Sequence, residues 1–166
     1  MKRRIFLARS VALLGLGAVA TGLAGCGFHL RGTERQALAI DALDLAGPPT
    51  LLTDRARRAL ENAGVEVTDR APLVLNLGTE RVEDVSLRGG DLVNDEVELR
   101  LVVPFSVQRR RDNAYLIDQG SLEATTTYIV NGDDPLVRHE LQETALDELR
   151  QSVIRQLIDQ LRRQVP

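Results

Sequence analysis

The stretch from residue 96 to residue 108 constrains the fold most. Val97, Leu99, Leu101, Val103, Phe105 and Val107 fall on one face of an extended chain, and Glu96, Glu98, Arg100, Ser106 and Gln108 fall on the other. Successive side chains of a strand point to opposite faces, so this two-residue period predicts a strand with one face on a core and one in water. Such half-wet strands belong to antiparallel sheets, because parallel sheets are covered on both faces and read as continuous apolar runs. Pro104 has no N–H to give to a ladder, which predicts either a sheet edge or a bulge at that point.

The rest of the chain supplies partners for this strand. Leu38, Ile40 and Ala42 alternate and predict a first strand over residues 38–42, closed off near Gly47-Pro48-Pro49. Residues 50–63 read as a helix, with Leu52, Ala56, Ala59, Leu60 and Ala63 on one side, Gly64 at its stop, and Arg55, Arg57, Arg58 and Glu61 on the exposed side. Leu73, Leu75 and Leu77 begin a strand whose alternation weakens through Val82, Val85 and Leu87 before the Gly89-Gly90-Asp91 turn. A charged turn over residues 109–113 leads to a last strand over residues 115–130. From residue 136 to residue 164 a long helix carries apolar residues at 137, 141, 145, 149, 153, 157 and 161, with Asp134 as N-cap and Pro135 at its first position. The order β-α-β-β-β-α predicts an α+β, two-layer sandwich: a mostly antiparallel four-stranded sheet with two helices on one face.

The amino-terminal segment carries a different kind of information. Lys2, Arg3, Arg4 and Arg9 form a basic start without acids, and residues 11–24 are uncharged and mostly apolar or small. That is the anatomy of an export signal. Diluted by Gly15, Gly17 and Gly22, the apolar stretch falls short of the roughly 20 residues a membrane span needs. It ends in Leu23-Ala24-Gly25-Cys26, which resembles a lipobox, and Cys26 is the single cysteine of the chain. Residues 1–25 therefore read as a lipoprotein signal peptide, 26–36 as a lipidated N-terminus and tether, and 37–166 as a single α+β domain. One acyl chain holds a protein marginally while two give stable attachment, so a diacylglyceryl thioether on Cys26 with an acylated amine would anchor it. Arg3-Arg4-Ile5-Phe6-Leu7 resembles the core of a twin-arginine signal, but general-secretory signals also begin with adjacent basic residues, and both routes stay open. Gly27 stands where Asp would resemble an inner-membrane retention signal, which points to the outer membrane.

Without residues 1–25 the chain keeps 17 of its 21 basic residues against 24 acidic ones, a net charge of minus seven. Nucleic-acid surfaces are basic, so that class of partner is not expected. Catalysis needs convergent groups, and few candidates exist. His29 and His139 are the only histidines and neither has a second ligand at metal spacing. No Gly-x-Ser-x-Gly elbow or phosphate loop occurs. The acid pairs Glu83-Asp84, Asp95-Glu96, Asp133-Asp134 and Asp147-Glu148 are each adjacent in sequence and fall on predicted turns or wet faces. No catalytic residue, metal or cofactor is expected.

The string Cys26-Gly27-Phe28-His29-Leu30-Arg31-Gly32 closely resembles the start of mature lipopolysaccharide-assembly lipoproteins of the LptE family. The resemblance continues in the element order, in Arg88-Gly89-Gly90 between long strands, and in Leu136-Val137-Arg138 opening the last helix. It implies a non-enzymatic outer-membrane lipoprotein, lipid-anchored on the periplasmic side, that plugs the β-barrel LptD and helps it insert lipopolysaccharide into the outer leaflet. It also implies lipopolysaccharide binding through basic residues, whose matching positions are Arg88 and Arg138; guanidinium pairs bidentately with phosphate. Two other readings remain: an envelope enzyme built on the acid pairs, and a lipid- or peptidoglycan-binding module with a deep apolar pocket between sheet and helices.

Overall fold

In chain order the elements are β1 (Ala42–Ala46), α1 (Leu51–Asn62), β2 (Glu66–Val67), β3 (Leu73–Leu77), β4 (Arg81–Leu87), β5 (Asn94–Arg109), β6 (Tyr115–Asn131) and α2 (Pro135–Gln164). They come from a computed structural model that describes residues 38–87, 94–131 and 134–165. The alternating run is the centre of the sheet. β5 pairs antiparallel with β6 on one side and, end to end, with β3 and β4 on the other. β1 runs parallel to both of its neighbours, β2 and β3. The fold class is α+β as expected, but the sheet is mixed and six-stranded where four mostly antiparallel strands were predicted.

Three local facts explain the difference. β2 is two residues long, too short to show an alternation, and exists because α1 returns the chain alongside β1. The stretch from Leu73 to Leu87, whose pattern weakens after Leu77, is two strands, not one. The first strand lies at Ala42–Ala46, displaced from the predicted 38–42, because alternation reports burial and not pairing. Leu38 and Ile40 are indeed buried, but the Leu38 N–H reaches Ala63 O at the end of α1 and no strand.

Pro104 sits mid-strand in the central strand, so the edge expectation fails, but the irregularity is there: the register with β6 shifts just beyond it, between Phe105 and Val107, and the neighbour on the other side breaks. β3 ends with Leu77 opposite Phe105 and β4 begins with Arg81 opposite Val102. Gly78, Thr79 and Glu80 thus face only Val103 and Pro104, a bulge between the two strands. The Gly78 N–H donates to Pro104 O at 2.8 Å. The N–H and C=O of one strand residue point the same way, so the donor Pro104 lacks would have faced this break. A Cβ on Gly78 would come within 2.7 Å of the Pro104 ring, which is why glycine stands there.

Val97, Leu99, Leu101, Val103, Phe105 and Val107 are all buried, each burial contributing about 1.5–3 kcal/mol before entropy is counted. Leu52 and Ala56 of α1 meet Leu77, Leu122, Val153, Ile154 and Leu157 in a contact with no room for a water, so both helices cover the same sheet face. α1 begins at its N-cap Thr50, whose side chain accepts from the Thr53 N–H at 3.3 Å, and ends before Gly64 at φ +87°. Arg55, predicted exposed, is instead half-buried and donates to both oxygens of Asp147 at 2.9 Å, tying α1 to α2. Arg150 donates to Glu80 at 2.9 and 3.2 Å, tying α2 to the bulge. This pair raises the pKa of Arg150, first through the hydrogen bond to Glu80 and with burial opposing.

Candidate functional site

The first turn of α2 carries Arg138. Asp134 caps α2, its carboxylate accepting from the Leu136 N–H at 2.9 Å, and Pro135 supplies a φ already suited to a helix. The Arg138 N–H then donates to Asp134 O at 3.1 Å, which places Arg138 in the first turn. Its side chain is half-buried. Beneath it lies Tyr128 of β6, opposite Val97 on the helix-covered face. Asp84 of β4, opposite Leu99, belongs to the same face. Burial pushes the Tyr128 phenol above its usual value of 10.0, Asp84 adds to the rise, and Arg138 opposes it. Tyr128 therefore lies within electrostatic reach of both Asp84 and Arg138. The sequence alone missed Tyr128 and Asp84 as members of the site; the signal available was a tyrosine in the core phase of the last strand, just before the helix cap.

Around Arg138 the surface is apolar as well as charged. Leu136 is 78% exposed and Val137 44%, although 137 was expected to open the buried stripe of the helix. Burial along α2 begins only at Ala145. A guanidinium beside exposed aliphatic groups suits a ligand that is both anionic and apolar.

Arg88 and Cys26 lie outside the described residues, as does His29. Leu87, the residue before Arg88, pairs with Glu96, which in turn pairs with Ile129, at the end of the sheet where α2 begins. Among the described residues the acid pairs do not converge. Glu83 meets Arg100 at 3.8 Å, Asp134 is a helix cap, and Asp147 holds Arg55. Among the described residues no cluster of His, Cys, Asp and Glu could hold a metal, and no helix is long and apolar enough to cross a membrane.

A second basic place is the β5–β6 turn. Arg109, Arg110 and Arg111 line a groove of about 530 Å³ with Pro72 and Leu73. Its charge is met locally: Arg109 and Arg111 approach Asp112 at 3.4 and 3.6 Å, and Arg110 donates to Asp44 and to Ala71 O. The Ala114 N–H, with the two arginines, lowers the pKa of Asp112.

Fold and site together define a small α+β domain whose two helices cover one sheet face and whose second helix opens with Arg138 beside exposed Leu136 and Val137. By its sequence the chain belongs to the LptE family of lipopolysaccharide-assembly proteins, whose model matches residues 36–161. It is 28% identical over 171 residues to the LPS-assembly lipoprotein LptE of Pectobacterium atrosepticum, covering 97% of this chain and 86% of that protein. The fold matches a minor lipoprotein of Acinetobacter baumannii (TM-score 0.63, 20% identity, 75% of this chain and 92% of that one). It also matches lipoprotein B of Nitrosomonas europaea (TM-score 0.61, 19% identity, 82% and 90%). Members of the family are non-enzymatic, which removes the envelope-enzyme reading. Among the described residues, the contact of Leu52 and Ala56 with Leu77, Leu122 and α2 is closed.

Proposed function

We propose that this LptE-family protein is exported, cleaved before Cys26, acylated on that residue and held at the periplasmic side of the outer membrane, where it plugs the β-barrel LptD during lipopolysaccharide transport. The observation that carries the reading is the uncovered first part of α2, where Arg138 stands beside exposed Leu136 and Val137. Lipopolysaccharide offers phosphates and acyl chains side by side, which this surface complements in charge and in polarity. Arg88 is the second cation of the same reading.

The sheet face that the helices leave open supports the barrel. Glu123, Thr125 and Thr127 are exposed there, and Arg100 pairs with Glu83 and Glu123. A wide barrel has a polar, wet interior, which the charged and hydroxyl groups of this face suit.

Crosslinking in intact cells from a photoreactive residue at Thr125 tests the complex; the expected product is a heterodimer with a large outer-membrane β-barrel. Recovery of the lipoprotein uncoupled from any barrel would end the plug reading. For the ligand, Arg138→Glu with Arg88→Glu should weaken lipopolysaccharide binding at least about tenfold, the scale of losing two charge-assisted contacts, with the thermal transition unchanged. Undiminished binding would return both residues to ordinary surface arginines.

A further inference from the structure

The β5–β6 turn carries more cation than the carboxylates around it answer. Arg109, Arg110 and Arg111 stand in a row, and two carboxylates meet them, Asp112 and Asp44. Asp112 is shared, with Arg109 at 3.4 Å and Arg111 at 3.6 Å. The Nε of Arg109 is buried without an acceptor among the described residues, and the Arg111 side chain is 76% exposed. A guanidinium has five N–H donors, so these two arginines have donors to spare. Arg110 is different: it donates to Ala71 O at 2.8 Å and to Asp44, which holds the turn against β1 and the loop before β3.

The three arginines line their groove of about 530 Å³ together with Pro72 and Leu73, so cationic donors stand beside an apolar surface. Tyr115, opposite Gln108 at the base of the same hairpin, is 55% exposed. A ring with a polar tip suits the boundary between headgroups and acyl chains.

The position of the groove indicates what meets it. Asp44, which holds Arg110, pairs with Val74, so β1 begins at the level of Pro72 and Leu73. The chain reaches β1 through Leu38 and Ile40, and the groove is therefore at the end of the sheet by which the amino-terminal segment enters. Leu38 follows Cys26 by 38 − 26 = 12 residues, a reach of about 40 Å at full extension. The start of α2 follows Asn131, which pairs with Asn94 at the far end of β5, about 50 Å along the strand from Arg109.

We infer that this groove takes the anionic headgroup of a phospholipid in the membrane that holds the acylated Cys26. Arg109 and Arg111 meet the phosphate, and Pro72, Leu73 and Tyr115 lie against the glycerol and upper acyl region. The inference rests on the anchoring of Cys26 and is independent of LptD. An anchored domain meets headgroups at high effective concentration, so a weak site is filled. Docking sets the lipoprotein on the membrane with Arg138 turned away from it.

The acylated lipoprotein in vesicles tests the site. With Cys26 acylated, Asp69→Cys on the loop before Pro72 supplies the single free thiol for a fluorescent donor, and the acceptor is carried on lipid headgroups. Energy transfer should be higher in phosphatidylcholine vesicles containing phosphatidylglycerol than in phosphatidylcholine alone. The mature chain has a net charge of minus seven, so an anionic surface without such a site would lower the transfer. Arg109→Gln with Arg111→Gln should reduce the docked-to-undocked ratio about fivefold for each guanidinium removed, the scale of one cation near an anionic surface. Asp112→Asn, which keeps an oxygen for the Ala114 N–H but withdraws the competing charge, should raise it. A donor at His139→Cys should gain nothing from phosphatidylglycerol. A parent protein that does not float with the vesicles overturns the anchoring, and the docking with it. In a protein that floats, transfer from residue 69 that ignores phosphatidylglycerol or survives the double substitution overturns the site alone. Loss of transfer in millimolar inorganic phosphate would make it a site for free anions and overturn the lipid.

Discussion

Within α2, residues 145–161 and residues 135–144 are written in the same apolar spacing, but only the first group is buried. Ala145, Leu146, Leu149, Val153, Leu157 and Leu161 lie against β5, β6 and α1, whereas no residue from 135 to 144 is buried. Leu141 is only partly buried against the core. The carboxyl-terminal part of α2 holds the domain together, and its amino-terminal part carries Arg138 near Tyr128, with Leu136 and Val137 exposed.

Truncating the buried part gives the largest expected effect. Leu149→Ala or Leu157→Ala should destabilise the domain by about 2–5 kcal/mol, read from the denaturation midpoint. Leu136→Ala should change stability by less than about 0.5 kcal/mol, and a loss as large as that of Leu149→Ala would break the comparison between the two parts. Between these lies Arg150→Ala, which leaves Glu80 half-buried without its cation and should cost about 1–3 kcal/mol. Glu80→Gln in the same background should recover part of it.

The smallest effect is spectroscopic. In a Tyr115→Phe background Tyr128 is the single tyrosine, and its phenol should ionise above the usual value of 10.0. Arg138→Glu removes the opposing cation and should raise that value further. Because the folded state holds the phenolic proton more tightly, its contribution to stability is complete below the unfolded value and is lost as pH rises through the folded one. An absorbance titration that does not move on Arg138→Glu would separate Arg138 from Tyr128.

Much of the local structure is legible in the residues. The two-period of β5 predicts which six side chains are buried, and Asp134-Pro135 predicts the start of α2, because periodicity and capping act over a few residues. The site is less legible. Arg138 follows from a family resemblance, but Asp84 reads as half of a solubilising acid pair until β4 is registered against β5. Arg55 reads as solvent-exposed until α1 meets Asp147. Pro104 signals an irregularity, and only the pairing of Gly78 shows that its neighbour carries the break.

What the sequence by itself determined is therefore the α+β class, the six buried side chains of the strand β5, and the ends of both helices. The tertiary structure alone decided the parallel pairing of β1, the division of one weak strand into β3 and β4, and which part of α2 is covered. The reason is physical: burial along a helix or strand depends on how far the partner element extends, and no local pattern contains that length.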